Sequence, residues 1–358
     1  MNNYNYLFLI LFVLFIKGSQ AVINPAVGVV EGYYWTQADA VNGQYGSYSF
    51  SDRQKLIQMM AANNLGVYWF SPQTVDVNAL WNTQQLNEWT TIVALGASLN
   101  VKIVYGIRPG WLDTAVFPTI LARLQQIASS GITYYTVNFD DAEGVDTTSQ
   151  QQKEVQLINY LQTNLPSMTL YSVLPFAYYQ DMFTTRTKWQ NALATINGVS
   201  STIPFVFTGK EIAPSTMQTS QFPTLSPSRP YKFFDNWIAG DTKDRISWGM
   251  IDGRVDSVIF TSQYGYFLNL AFPLERVPHH IYCLGLLATG STTCSVSASA
   301  TYWANYLNSN GFIHNGKTVS QVATSLTNAI NQDNYYDTIA DMEAAFPNLS
   351  TIFSTPPV

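Results

Sequence analysis

Short runs of β-branched and aromatic residues alternate along this chain with longer stretches of helical periodicity. That alternation limits the fold more than any other feature. The strand-like runs are Val27–Trp35, Gly66–Phe70, Val101–Ile107, Ile132–Phe139, Thr169–Leu174, Ile203–Phe207, Tyr231–Asn236 and Val255–Thr261. Helical patterns cover Asp52–Asn63, Gln84–Leu99, Pro118–Ser129, Gln150–Asn164 and Arg186–Ala194. Strands separated by helices pair in parallel through crossovers, which makes the class α/β. Eight such units in about 240 residues match a closed (β/α)8 barrel of the TIM type. An open doubly wound sheet is the rival. It would want a glycine-rich phosphate loop after the first strand, and Gly28 and Gly32 lie within the strand at the wrong spacing.

The N-terminus bears on destination. Leu7 to Ile16 are continuously apolar, and Ser19 and Ala21 supply the small-x-small pattern of a cleavage site. The run is too short to span a membrane, so it reads as a secretory signal, with an uncleaved anchor as the alternative. The expected organisation is a signal over 1–21, a barrel over 22–267 and a helical segment over 268–358 packed on the barrel. Secretion would place the protein outside the cell or in the lumen of the secretory or lysosomal pathway. There Cys283 and Cys294 are expected to pair, two buried thiols being the alternative. The sequon Asn348-Leu349-Ser350 fits the same route.

Charged residues make up 11% of the chain and aromatic residues 14%, with a net charge of −6. An acidic chain without a basic cluster argues against nucleic acid or an anionic membrane as partner. Three histidines without metal-site spacing argue against zinc, and no cofactor is implied.

In a barrel of this kind chemistry sits at the C-terminal ends of the strands. The polar residues there are Glu31, Gly32, Gln73, Arg108, Asp140, Asp141, Tyr178, Tyr179, Thr208, Asn236, Asp241 and Ser262. Carboxylates, amides and aromatic rings suit neutral polyhydroxylated ligands, whose hydroxyls need polar partners and whose ring faces need flat apolar ones. Asp140 and Asp141 follow the most strand-like run. Neighbouring residues of a strand point to opposite faces, so both acids can reach one pocket only where the strand ends and the chain turns. Two carboxylates crowded there should titrate apart, leaving one neutral acid beside one anion. A solvated acidic turn or a calcium loop is the plainer reading, since Glu143 and Asp146 lie close by.

Five stretches, in order, resemble glycoside hydrolase family 84, the family of O-GlcNAcases and their bacterial relatives. They are Gly28–Tyr34, Val104–Gly110, Phe139-Asp140-Asp141, Phe207-Thr208-Gly209 and the run from Phe234-Asp235-Asn236 to Asp241. The resemblance implies a retaining β-N-acetylglucosaminidase that uses the acetamido oxygen of its substrate as nucleophile, an exception to the two-carboxylate scheme. It implies that Asp140 accepts the acetamido N–H and that Asp141 is the general acid and then the base. It further implies that Tyr178 bonds the acetamido oxygen, that Asn236 and Asp241 hold sugar hydroxyls, and that Gly32 and Phe234 line the pocket. The sequence departs from the pattern at three positions. Gln73 stands for a lysine, Phe234 for a tryptophan, and Ser262 for the asparagine expected after the last barrel strand.

The leading expectation is therefore a secreted glycosidase acting on glycans with terminal N-acetylhexosamine. The alternatives are a non-catalytic carbohydrate-binding barrel and a glycosidase for another substrate such as hyaluronan. Other residues have plainer readings. Arg108 can close the loop after the third strand through a salt bridge. Trp81, Trp89 and Trp189 suit helix packing, Trp35, Trp111 and Trp237 could stack on sugar, and His279-His280 read as surface or packing residues.

Overall fold

In the computed structural model the described residues are 23–33, 48–72, 80–110, 113–140, 148–239, 246–260, 264–271, 274–312, 317–331 and 335–336. Eight parallel strands close a barrel: β1 (Asn24–Tyr33), β2 (Leu65–Pro72), β3 (Lys102–Ile107), β4 (Tyr134–Asn138), β5 (Thr169–Leu174), β6 (Phe205–Phe207), β7 (Tyr231–Asp235) and β8 (Tyr266–Asn269). Closure comes from β8, which sets Phe267 opposite Phe234 of β7 and Asn269 opposite Val30 of β1. The first five crossovers are α1 (Phe50–Ala62), α2 (Thr83–Ser98), α3 (Phe117–Ala128), α4 (Thr148–Asn164) and α5 (Arg186–Ala194). The α/β barrel read from the alternation is the fold observed.

Local chemistry sets the helix limits. Ser49 and Asp52 form a capping box at the start of α1, and Asn82 and Gln85 do so at α2. Both helices are followed by an asparagine in the left-handed region, Asn64 at φ 61° and Asn100 at φ 59°. After glycine, asparagine is the residue that adopts this conformation most readily.

The eighth strand lies further along the chain than the sequence pattern predicts. Val255–Thr261 is expected to be extended, but Ser257–Phe260 is a 3₁₀ turn, in which the Ile259 N–H donates to the Asp256 carbonyl at 3.0 Å. Ile259 and Phe260 are buried, so the run carries the apolar signal of a strand without its geometry. The closing strand is Tyr266–Asn269, which carries the barrel past the expected limit at 267. Among the described residues the sixth and seventh crossovers contain no α-helix: the sixth has the 3₁₀ turn Thr219–Gln221, and the seventh has the 3₁₀ turn Ser257–Phe260 and a short strand, Ile246–Ser247, paired antiparallel with Tyr335–Tyr336.

Side chains sort into an outer and an inner layer. Tyr68, Phe70, Tyr135, Val137 and Phe139 pack outward against the helices, together with Trp81, Trp89 and Trp189. Val30, Val67, Trp69, Val104, Val206, Phe234 and Phe267 form a separate cluster, one position out of step along each strand and so directed inward. Every residue of β2 is buried, as a parallel strand covered on both faces requires.

After β8 come α6 (Pro278–Ala288), α7 (Val296–Ser309) and α8 (Val319–Asn331). Cys283 and Cys294 are joined in a disulfide that ties α6 to the start of α7. A Cβ on Gly285 would lie 2.4 Å from the Asn63 carbonyl oxygen, so α6 crosses the end of α1 at a contact only glycine allows. His279 and His280 are fully buried here, as packing residues. No helix among the described residues is long and apolar enough to cross a membrane.

Candidate active site

Strand β4 brings the first acid to the barrel mouth. Thr136 and Asn138 point inward while Tyr135, Val137 and Phe139 pack outward, so the next inward position is Asp140. The strand ends at Asn138 and Asp140 already lies in a turn. The Asp140 carboxylate is almost wholly buried and forms an ion pair with the Arg108 guanidinium from the end of β3. Below it, the Asn138 side chain donates to Ser71 Oγ of β2 at 2.6 Å. Gly106 makes room for that layer, since a Cβ there would come within 2.9 Å of Asn138, Trp69 and Ser71.

A second constellation forms where β1, β7 and β8 end. The backbone N–H of Gly32 donates to Asn269 Oδ1 at 3.2 Å, and Asn269 Nδ2 donates to Asn236 Oδ1 at 2.9 Å. Asn236 Nδ2 in turn donates to the carbonyl of Ile212, in the loop after β6, at 3.1 Å. Three strand ends are thus linked through two carboxamides, which present further donors and acceptors at the mouth.

Tyr178 is carried by the loop after β5 and fixed from β6. Thr208 N–H donates to the Tyr178 carbonyl at 3.1 Å, and Gln180 N–H donates to the Gly209 carbonyl at 3.0 Å. Gly209 has φ +109°, a conformation open to glycine and strained for other residues. From behind, the Trp189 indole donates to the Ala177 carbonyl at 2.7 Å. The Tyr178 ring packs in the inner cluster, 4.9 Å from the Tyr179 ring. Phe234 lies in the same cluster, its ring centre 5.8 Å from that of Trp69, so it forms part of an aromatic floor.

Of the residues singled out in the sequence, the structure places Gly32, Asp140, Tyr178, Phe234 and Asn236 at strand ends or immediately beyond, on the mouth side. Asp141, Gln73, Asp241 and Ser262 lie outside the described residues, as do Trp35 and Trp111. The reason for assigning Ser262 is removed, because the last barrel strand ends at Asn269. Asn269, bonded to Gly32 and Asn236 at the end of that strand, is a mouth residue that the sequence reading misses. The signal was present in Tyr266-Phe267-Leu268-Asn269, a short aromatic run ending in an amide.

Two acids near the mouth have structural partners. Glu31 receives Arg53 of α1 at 3.0 and 2.8 Å, together with the Tyr68 hydroxyl and the Tyr48 N–H. Asp235 is fully buried and receives Arg254 and the Tyr266 hydroxyl. Asp252 lies beside Cys283 and Cys294, but both sulfurs are committed to the disulfide, and a thiolate is what a metal would need.

A closed parallel barrel whose strand ends gather a buried acid, linked amides and aromatic rings has the construction of a glycoside hydrolase. Residues 27–272 match the beta-N-acetylglucosaminidase family, and the chain belongs to that family. The match spans the barrel from β1 to just past β8. No curated protein matches the chain significantly.

Proposed function

We propose that the chain is a secreted β-N-acetylglucosaminidase that works by substrate-assisted, retaining catalysis, as the resemblance to glycoside hydrolase family 84 implies. The observation that carries this reading is the buried Asp140 carboxylate, held against Arg108 in the turn after β4. An anion fixed there can accept the acetamido N–H and so aim the acetamido oxygen at the anomeric carbon. Asp141 then protonates the glycosidic oxygen as its bond to carbon breaks, and the acetamido oxygen closes an oxazolinium ring whose N–H and positive charge face the Asp140 carboxylate. In the second step Asp141 takes a proton from water, which opens the ring at the anomeric carbon with net retention. Tyr178 would bond the acetamido oxygen, while Asn236 and Asp241 would hold ring hydroxyls. Asn269 joins this set through its bond to Asn236.

Purified protein should release nitrophenol from an aryl N-acetyl-β-glucosaminide. Asp140→Asn and Asp141→Asn should each lower kcat by about 10²–10⁴. Unchanged turnover in both variants would remove the reading. A carbohydrate-binding barrel without turnover is the second reading, because Arg108 already bonds one oxygen of the carboxylate that would accept the acetamido N–H. Calorimetric binding of N-acetylglucosamine with no hydrolysis over long incubation would favour it. Secretion is tested by the N-terminus of the exported protein, which should begin at Val22.

A further inference from the structure

The end of the barrel opposite the mouth contains an arrangement that sugar cleavage does not use. Lys102 opens β3 and Lys232 is the second residue of β7. The Lys102 ammonium lies 4.4 Å from the centre of the Tyr134 ring and 5.1 Å from that of Tyr171. The Lys232 ammonium lies 4.3 Å from the centre of the same Tyr171 ring and 5.4 Å from that of Phe267, and it donates to the Tyr171 hydroxyl at 3.3 Å. Two cations therefore share one aromatic bowl. Among the described residues neither has a carboxylate within ion-pair distance. Lys232 is buried and Lys102 half-buried.

Contact with an aromatic face offsets only part of the cost of burying a cation. Burying like charges side by side without a counter-charge costs more than that, so the usual outcome is a partner anion or loss of a proton. We propose that the N-terminal end of the barrel is a binding site for a tetrahedral oxyanion, phosphate or sulfate in chemistry, held between Lys102 and Lys232 with the Tyr171 hydroxyl as a further donor. The residues that form the bowl offer donors rather than anionic acceptors, and the rings confine the anion without competing for its charge. A groove of about 330 Å³ beside the start of β3 has Lys102 and Tyr134 in its wall.

The proton balance agrees with this arrangement. Burial, reinforced by the charge of Lys102, lowers the Lys232 amine to about 8, and burial also lowers Lys102. An anion between them would restore both cationic forms. The titratable groups facing Lys232 are Lys102 and Tyr171, and burial raises the tyrosine further above the working range.

The full secreted chain is titrated calorimetrically with inorganic phosphate, sulfate and glucose 6-phosphate, at constant ionic strength set with chloride. Saturable binding of phosphate and sulfate is expected at pH 7, weaker by at least about tenfold at pH 9.5, where Lys232 is neutral. Lys102→Met should lose the binding while keeping the melting temperature, since that lysine is half-exposed, and Lys232→Met should lose it as well. Equal affinity for glucose 6-phosphate would mean that the group can arrive on a sugar, and its exclusion would mean a free ion. No binding above the chloride background, or binding unchanged in a folded Lys102→Met protein, would overturn the proposal. Activity on the aryl glycoside is a separate readout and is expected to be the same in Lys102→Met as in the parent.

Discussion

A methyl group on Gly32 would meet the Asn269 carboxamide oxygen at 2.9 Å, so this glycine is set by its neighbour and not by its backbone angles. The obstacle is the end of a side chain rather than main chain. Gly32→Ala should therefore displace Asn269 while leaving the barrel folded. The expected result is a rise in KM of up to about tenfold, the worth of one neutral hydrogen bond, with kcat and melting temperature little changed. Asn269→Ala should raise KM comparably. If both variants bind and turn over substrate like the parent, Asn269 has no part in sugar recognition. At this scale the sequence shows Asp140 clearly, because a strand followed by an acid at a turn is a local pattern. It hides Asn269, whose place depends on which distant run closes the barrel.

Val255–Thr261 and Tyr266–Asn269 show where element-level reading reaches its limit. Both are short apolar runs, and periodicity over so few residues cannot separate a strand from a tight turn. Only the second can pair with β1 and β7 at once, and that is long-range information. The first five helices were legible because periodicity runs over twelve or more residues in α1 to α4, with capping boxes at the starts of α1 and α2 and a proline in the first turn of α3. Thr185 also caps α5 at its expected start. The disulfide acts at this scale too. It closes a loop between residues 11 apart, and in the chain-entropy account such a loop contributes about 2–3 kcal/mol. Cys283→Ala/Cys294→Ala should lower the melting temperature by several degrees and leave KM near the parent value, since α6 and α7 pack outside the barrel. An unshifted unfolding curve for the double variant would show that packing alone holds these helices.

At the scale of the whole molecule, stability should fall in acid because of two histidines that lie far from the mouth chemistry. His279 and His280 open α6 with ring centres 3.7 Å apart, and His279 stacks on Trp303 at 4.2 Å. Their Nε2 atoms bond the carbonyls of Trp248 and Gly249 at 3.3 and 3.0 Å, which join the segment before β8 to the helical tail. Burial lowers His280 to about 4, and burial together with the neighbouring imidazole lowers His279 well below its ordinary value. Both rings stay neutral in the folded state, whereas in the unfolded chain they take up protons near 6.5. Above that pH their contribution is complete. Between about 6.5 and 4 the unfolded chain binds more protons than the folded one, so stability declines as pH falls, for His280 by about 3 kcal/mol over the whole interval. Glu154 works in the other direction. Its carboxyl is buried in α4 behind the Tyr178 loop and raised well above the usual range, chiefly by desolvation, so acid relieves it. The net slope therefore identifies which group dominates. His280→Gln, which keeps a donor for the Gly249 carbonyl, should flatten the fall in melting temperature between pH 6.5 and 4.5. In the parent that fall should be plain. An identical pH profile in the two proteins would mean that the histidines titrate alike in the folded and unfolded chain, and the acid sensitivity would have to come from the carboxylates.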